Sequence, residues 1–233
     1  MKLLLDADSL VFKAAMTTKS EAAARKNVVK RVKEVSEACF ADETIMYVKG
    51  RGNYRYNVYP QYKGKRKSQD LDQEIKDRLN AGHDELVKLG AVFVDGLEAD
   101  DLVCMAAYAC MEADEDFVIG YIDKDLLQIP GNHYNYDKQE FIFMDPDEAD
   151  MFFWTQCLEG DSIDNIPGVR GIGPAKAAVI LEGSKFGDRH NVVQAKYTEV
   201  YGALGGTNFD QYAASLWLLR EQGQIFDDWL KEL

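Results

Sequence analysis

The chain has 233 residues, of which 46% are hydrophobic and 29% charged, a composition typical of a globular protein with one domain or one domain and a small appendage. Its net charge of −13 argues against a generally basic surface, and neither a signal pattern nor an apolar run of about 18 residues is present, so we expect a soluble cytoplasmic protein with no membrane partner. Four cysteines without CxxC spacing and only three histidines exclude a usual zinc site, so any metal ion would be held by oxygen.

Short apolar runs alternate with long stretches of helical periodicity. The runs are Leu3–Leu5, Ile45–Val48, Val92–Val94 and Phe117–Ile122. Alternation of this kind is typical of βαβ units and predicts an α/β fold, with a mostly parallel central sheet flanked by helices. We further expect a helix over Ser20–Phe40, whose basic outer face is either solvated or in contact with DNA, and a hairpin over residues 133–144.

The predicted organisation divides the chain near residue 150. Residues 1–150 would form an α/β core that includes a basic arch segment at about 49–85. From Met151 onward the chain reads as helical, with a helix-hairpin-helix element at about 160–182. In this second part Trp217, Leu218 and Trp229 are expected in the core and not on a nucleic-acid-binding surface.

The basic residues are concentrated in one segment. Between Lys49 and Lys67 there are seven basic residues, four tyrosines and no acid, and subtracting this +7 from −13 leaves −20 on the remainder. Cations interleaved with aromatic rings are typical of single-strand binding, because bases stack on the rings while cations neutralise phosphates. An exposed loop without this role is the alternative. The expected DNA contacts here are Arg51, Tyr54, Arg55, Tyr62, Lys63, Lys65, Arg66 and Lys67.

Acidic side chains follow three of the predicted strands at the points where these end. Asp6 follows the first run, Glu98–Asp101 the third and Asp123–Asp125 the fourth. The carboxyl ends of parallel strands form one edge of a sheet, so these acids should gather there. Helix capping would explain Glu98–Asp101 alone, but not acids at several strand ends. With Asp161 and Asp164 they indicate a site for two Mg²⁺ or Mn²⁺ ions, as in phosphodiester hydrolysis.

A glycine-rich segment, GDSIDNIPGVRGIGPAKA, occupies residues 160–177. Gly171 and Gly173, followed by Pro174 at a helix start, predict a tight hairpin whose free amides bind a backbone phosphate. Lys176 adds positive charge. An element of this helix-hairpin-helix type binds duplex DNA without reading its sequence, so Gly171, Gly173 and Lys176 join the expected DNA contacts.

These motifs resemble those of a known family. LLLDADSLVF, YRYNVYPQYKGKRK, GLEADD, GYIDKDLLQI and the glycine-rich segment resemble, in order, the motifs of the 5′-nuclease superfamily. That superfamily comprises bacteriophage flap endonucleases and 5′→3′ exonucleases and the nuclease domain of bacterial DNA polymerase I. The resemblance runs from residue 2 to about residue 180 and implies the PIN-like 5′-nuclease fold with a helical arch.

The resemblance also implies roles for individual residues. The expected ligands of a first metal ion are Asp6, Glu98, Asp100 and Asp101, and those of a second are Asp123, Asp125, Asp161 and Asp164. The resemblance places Tyr62, Lys63 and Arg66 at an arch around the 5′ strand, with Lys63 reaching the scissile phosphate. Lys63, Asp101 and Asp123 are expected to carry the reaction. The hairpin would grip the duplex and bind K⁺ through backbone carbonyls.

The chain departs from the family pattern after the second strand. Family members usually carry an aspartate there, whereas residues 48–55 read VKGRGNYR, without an acid. Asp42 and Glu43 precede the same strand and would lie roughly 20 Å from its carboxyl end. Three hypotheses remain for the gap: Asp8 fills it, a water fills it, or Lys49 or Arg51 occupies it as a fixed cation and leaves the first metal less tightly bound.

The sequence therefore predicts a metal-dependent 5′→3′ exonuclease and flap endonuclease. Its partner would be DNA with 5′ ends or flaps, including RNA–DNA hybrids, cut near the junction with duplex during replication or DNA degradation. The chain lacks a polymerase domain, so we expect a monomeric phage or accessory enzyme in the bacterial or phage-infected cytoplasm. A PIN-like ribonuclease and a non-catalytic structure-specific DNA-binding protein are the alternatives.

Overall fold

The computed structural model describes residues 1–65 and 71–231, so the expected DNA contacts Arg66 and Lys67 lie outside the described residues. The chain forms two compact units, which we call the first and the second unit. The first comprises Met1–Asn53 and Asp70–Met144, and the second comprises Tyr54–Gln69 and Asp145–Leu233. The expected arch segment, 49–85, thus contributes residues to both units.

A five-stranded sheet forms the centre of the first unit. Its strands are β1 (Lys2–Asp6), β2 (Glu43–Tyr47), β3 (Phe117–Tyr121), β4 (Gly131–Asn135) and β5 (Glu140–Met144), in the order β2-β1-β3-β4-β5. All neighbouring pairs are parallel except the hairpin of β4 and β5, which confirms the predicted mostly parallel sheet. Asp6 pairs with Tyr47, and Leu5 pairs with Gly120, so β1, β2 and β3 end at the same edge.

The predicted strand at Val92–Val94 is wrong. Val92 makes a single bridge beside β2, in which its N–H donates to the Met46 carbonyl at 2.8 Å and its own carbonyl accepts from Val48 at 3.0 Å. The three residues are 40%, 46% and 39% exposed, so little apolar burial holds them against the sheet edge. The chain then turns away through Gly96, which has a φ of 91°.

Four helices flank the sheet: α1 (Asp8–Thr17), α2 (Glu21–Ala38), α4 (Gln73–Lys88) and α5 (Ala99–Glu112). The predicted helix at Ser20–Phe40 is confirmed by α2, whose Ser20 hydroxyl caps the N–H of Ala23 at 3.2 Å. The core of this unit contains apolar side chains of β1, α1, α2 and α4, among them Leu5, Val28 and Leu86. Basic side chains of α2 pair with glutamates, as Lys30 does with Glu34 and Lys33 with Glu37.

The second unit is helical. It contains α3 (Arg55–Val58), α6 (Pro146–Glu159), α7 (Pro174–Leu181), α8 (Arg189–Tyr201), α9 (Gly205–Leu216) and α10 (Phe226–Leu230). Trp154, Trp217 and Trp229 stack in its core with ring centroids 5.6–6.0 Å apart, and Leu218 is 3% exposed, which confirms their predicted packing. The expectation of an entirely helical chain after Met151 is wrong for residues 160–173, 182–188 and 217–225, where turns and irregular backbone separate the helices.

Two further features concern the helices and the cysteines. In the part of the chain that the structure describes, no helix is long and apolar enough to cross a membrane. The four cysteines are free and buried.

Candidate metal and nucleic-acid site

Asp6, at the end of β1, is 4% exposed and lies at the carboxyl edge of the sheet. One carboxylate oxygen accepts the N–H of Asp8 at 3.2 Å, and the other accepts the hydroxyl of Ser9 at 3.3 Å. Burial, followed by the negative charges of Asp8 and Asp123, raises the pKa of Asp6 to about 8. Acids from the ends of β1 and β3 therefore influence one another, as predicted from the strand ends.

Asp8 begins α1 but does not cap its own helix. Both of its carboxylate oxygens lie 3.2 Å from the backbone nitrogen of Lys49, just beyond β2. Burial raises the pKa of Asp8, whereas the Lys49 ammonium and the Lys49 N–H oppose that rise. His83 is also near, because its Nε2 lies 3.3 Å from the Lys49 carbonyl and its charge acts on Asp8.

The Glu98–Asp101 group opens α5 and takes the capping role considered as an alternative. Asp101 Oδ2 accepts the N–H of Glu98 at 3.3 Å, as half of a capping box, and Asp100 Oδ1 accepts the N–H of Asp101 at 2.8 Å. Asp101 is fully buried, and the charge of Glu98 acts on Asp8. Capping and metal binding use different lone pairs of a carboxylate, so the two roles are compatible.

Asp123 follows β3 and is exposed. Its Oδ1 accepts the N–H of Asp125 at 3.1 Å and so starts a short 3₁₀ turn over Lys124–Gln128. Asp123 and Asp125, the two carboxylates expected after β3, are thus held in the same short turn.

The donor chemistry of the first unit suits a hard divalent cation. Its carboxylates are oxygen ligands, gathered closely enough that burial and mutual repulsion disfavour their charge, and a cation relieves both effects. Within residues 1–65 and 71–231, however, no three acidic, histidine or cysteine side chains are already arranged to hold a metal ion.

In the second unit, a tight loop after α6 carries the two remaining acids. Asp161 and Asp164 are 5% and 7% exposed. Asp161 Oδ1 accepts the N–H groups of Ile163 and Asp164 at 2.7 and 3.1 Å. Gly160 and Gly168 close the loop with φ values of 77° and 62°, and a Cβ on Gly168 would lie 2.3 Å from the Gly160 nitrogen. Only glycine fits this approach.

The basic, tyrosine-rich segment lies directly on this loop. The Lys63 N–H donates to the Asp164 carbonyl at 2.8 Å, and the Asn165 side-chain amide donates to the Gln61 carbonyl at 2.8 Å. The Lys63 ammonium is 3.7 Å from Asp164 Oδ2. Lys63, which is expected at the scissile phosphate, therefore lies beside Asp164, which is expected to bind a metal ion.

Three of the expected DNA contacts in this segment correspond poorly to the structure. Arg55 is 1% exposed, and its guanidinium donates to the carbonyls of Ser215 and Trp217 at 2.9 and 2.8 Å, so its assignment to DNA is wrong. Tyr62 is 3% exposed and offers no open stacking face, and the partly buried Tyr54 ring has the Arg55 guanidinium 4.7 Å from its centroid. The physical reason is that the charged and aromatic side chains of Arg55 and Tyr62 pack inside the second unit and do not face solvent. Arg51 and Lys65 are exposed.

The predicted hairpin precedes α7. Gly173 is the residue before the helix, Pro174 is its first residue, and Gly171 has a φ of 82°. The Lys176 ammonium donates to the Gly171 carbonyl at 2.8 Å. Tyr201, on α8, braces the hairpin because its hydroxyl bonds the Gly168 carbonyl at 2.8 Å and the Arg170 N–H at 3.0 Å.

The sequence and this fold agree with one family. The family model described as 5′-3′ exonuclease, N-terminal resolvase-like domain, matches residues 1–151. The chain belongs to this family. Curated relatives that the chain resembles include DNA polymerase I of Rhizobium leguminosarum, 30% identical over 157 residues, and the flap endonuclease Xni of Shewanella baltica, 29% identical over 144 residues. These alignments cover 63% and 56% of the chain, but only 15% and 53% of the relatives.

Solved structures of 5′-3′ exonucleases share the fold. The flap endonuclease of bacteriophage T5, in a complex with DNA and metal ions, aligns with a TM-score of 0.72 at 18% identity, covering 99% of this chain and 97% of that one. The T5 5′-exonuclease with bound zinc aligns with a TM-score of 0.66 at 19% identity, covering 100% and 97%. At such identities the likeness concerns the fold.

Sequence reasoning missed three residues of this candidate site. Ser9 bonds Asp6, the Tyr136 hydroxyl donates to the Asp6 carbonyl at 3.0 Å, and His83 lies beside Lys49. The spacing of Ser9, three residues after Asp6, is a local signal typical of a polar turn at a helix start. Tyr136 follows β4 and His83 lies on α4, and nothing in their local sequence indicates these contacts.

Proposed function

We propose that this chain is a metal-dependent 5′→3′ exonuclease and flap endonuclease that hydrolyses DNA near the junction of a 5′ single strand with duplex. The observation that carries the proposal is that Asp6, Asp8 and Asp123 lie at or just after the ends of the paired parallel strands β1 and β3, at one edge of the sheet, in a chain that matches the 5′-3′ exonuclease family model. The relatives named as DNA polymerase I and flap endonuclease support it.

The metal ligands we propose in the first unit are those at the strand ends, namely Asp6, Glu98, Asp100, Asp101, Asp123 and Asp125. Asp161 and Asp164 are added on the resemblance alone. Two Mg²⁺ or Mn²⁺ ions, when bound, would supply positive charge that activates a water and stabilises the leaving oxygen. The metal-bound T5 structures support the choice of a divalent ion.

The chain's own residues would hold the substrate. Lys63, whose ammonium lies beside Asp164, would stabilise negative charge on the scissile phosphate. The free amides at the start of α7 would grip a duplex phosphate, and Arg51 and Lys65 are exposed cations for the strand. K⁺ at the hairpin also belongs to the proposal, although the Lys176 ammonium already binds the Gly171 carbonyl there.

The decisive experiment compares cleavage of a 5′-labelled flap duplex, a blunt duplex and a hairpin RNA in Mg²⁺, Mn²⁺ or EDTA. Asp123→Asn serves as the blank, because asparagine retains an acceptor for the Asp125 N–H. Asp116→Asn is its matched control, since Asp116 is exposed and precedes the same strand. Metal-dependent cutting near the junction by wild type and Asp116→Asn, and not by Asp123→Asn, is expected.

Other outcomes would replace the proposal. Cutting of the RNA alone would favour a PIN-like ribonuclease. Tight flap binding without cleavage in either metal would favour a non-catalytic DNA-binding protein.

A further inference from the structure

The loop that follows β2 bears no carboxylate of its own. Its residues, Lys49 to Asn53, provide two cationic side chains and two glycines. At Gly50 any side chain is excluded, because a Cβ would lie 2.0 Å from the carbonyl oxygen of Val94. The Arg51 N–H is held by Asp95 Oδ1 at 2.9 Å. The loop is therefore fixed at two points, and an acid cannot be accommodated at its second residue.

A carboxylate nevertheless reaches the carboxyl end of β2 from the neighbouring strand. Asp6 pairs with Tyr47, so Asp8 and Lys49 each lie two residues beyond a paired position. Parallel strands are about 4.8 Å apart, a distance that an aspartate side chain can span. Both Asp8 oxygens lie 3.2 Å from the Lys49 nitrogen. A carboxylate that follows β1 therefore places its negative charge at the carboxyl end of β2.

The charges that face Asp8 come from several elements. Lys49 follows β2, His83 is on α4 and Glu98 opens α5, while Asp6 ends β1. The acids among them, Asp6 and Glu98, are both proposed ligands of the first metal ion. A simple helix cap would bond its own first turn, whereas the Asp8 contact crosses to another strand.

We infer that Asp8 supplies to the first metal ion the carboxylate that this chain lacks after its second strand. The inference rests on the proposed function, because it concerns the same metal site. Of the hypotheses raised by the sequence, it selects Asp8 over a water or a fixed cation. Asp8 would coordinate through the lone pairs that the Lys49 N–H does not use, or through a water that Mg²⁺ retains.

The test is Mn²⁺ affinity by isothermal titration calorimetry, with the full chain and without DNA. Asp8→Asn removes the charge but keeps an oxygen for the Lys49 N–H. Its matched control is Asp95→Asn, which removes an exposed carboxylate that holds the adjacent N–H of the same loop. Asp6→Asn tests the site as a whole. We expect the Mn²⁺ affinity of Asp8→Asn and Asp6→Asn to be lower than that of wild type by a factor of about ten or more. Asp95→Asn should keep the wild-type affinity.

The outcomes separate the inference from the proposed function. Wild-type affinity in Asp8→Asn with loss in Asp6→Asn would overturn the inference alone. Wild-type affinity in both variants would overturn the proposed metal site as well. If Asp8→Asn has a lower metal-free unfolding temperature, Asp8→Glu and Asp8→Gln are compared instead, since they differ only in charge. Equal Mn²⁺ affinity within that pair would contradict the inference, and tighter binding by Asp8→Glu would support it.

Discussion

The hydroxyl of Tyr62 donates a 2.8 Å hydrogen bond to Asp164 Oδ2. This bond joins the basic, tyrosine-rich segment to the acid-rich loop within the second unit. Together with the backbone bond from Lys63 to Asp164, it fixes the position of the Lys63 side chain relative to an expected metal ligand. The tyrosine therefore acts as a positioning residue and not as a stacking platform.

Tyr62→Phe should lower the free energy of unfolding by about 1 kcal/mol, because a buried carboxylate loses a donor while the ring still fills its place. Chemical denaturation measures the change. Tyr56→Phe is the control, since Tyr56 is 39% exposed in the same segment. Equal losses in the two variants would contradict a specific role for the Tyr62 hydroxyl.

Lys63→Gln should reduce the single-turnover rate of flap cleavage by about 10²-fold, because a cation at the phosphate stabilises transition-state charge. Lys65→Gln, an exposed neighbour, should affect affinity more than rate. Rapid-quench kinetics at saturating enzyme separates the two effects. A rate defect in Lys65→Gln as large as that in Lys63→Gln would argue against a specific role for Lys63.

Arg55→Met should destabilise the second unit by about 3 kcal/mol, because the buried carbonyls of Ser215 and Trp217 lose their donor. Arg51→Gln should leave thermal unfolding unchanged and instead weaken flap binding with a smaller salt dependence. Calorimetry and salt titration of binding distinguish the two arginines. An Arg55→Met variant with the wild-type unfolding temperature would show that the buried guanidinium of Arg55 contributes no stability.

Gly168→Ala should cost at least about 3 kcal/mol, because its Cβ would lie 2.3 Å from the Gly160 nitrogen in addition to the strain of a positive φ. Gly183→Ala provides the matched control. Gly183 has a φ of 74° but open space around it, so it should lose only about 1 kcal/mol. Similar losses measured by denaturation would show that crowding is relieved elsewhere.

His133 should contribute a loss of stability on acidification, opposite in sign to the contribution of Asp6, whose raised pKa makes the folded state bind the extra proton. The ring is fully buried on β4, its Nε2 lies 2.8 Å from the Ile129 carbonyl, and burial lowers its pKa to about 4. The unfolded chain binds this proton near pH 6.5, so the unfolded state holds more protons between pH 6.5 and 4. Unfolding is then favoured by up to about 3 kcal/mol as the pH falls through that window.

Urea denaturation from pH 7 to 4 measures this dependence. On acidification from pH 7 to 5, His133→Asn should lose less free energy of unfolding than wild type does, even if the variant is less stable throughout. A slope unchanged by the substitution would assign the pH dependence to other groups.

The sequence predicted the sheet and the location of its acids because both depend on local patterns. Apolar runs at Leu3–Leu5 and Phe117–Ile122 become β1 and β3, and acids directly after them must lie at the carboxyl edge. The run at Val92–Val94 has the same local pattern but remains exposed. Residues 92–94 do not form a strand because their side chains are not buried against the sheet, and only the tertiary structure determines that burial.

The role of the basic, tyrosine-rich segment was less predictable for a similar reason. Its composition is identical whether Arg55 and Tyr62 face a nucleic acid or the protein interior. The carbonyls that accept from Arg55 belong to Ser215 and Trp217, which lie 160 and 162 residues further along the chain. No local pattern marks them as acceptors. Lys63 lies beside Asp164, and its role at the scissile phosphate, which the resemblance implies, stays a prediction.

The contact between Gly50 and the Val94 carbonyl limits the evolutionary routes open to this chain. A Cβ at position 50 would lie 2.0 Å from the Val94 carbonyl oxygen, so an acid at this position needs a wider gap there. A substitution of Gly50 alone therefore cannot introduce an acid, because the segment around Val94 would first have to withdraw. Lineages with this loop are therefore expected to keep an acid at position 8, and the two features should be inherited together.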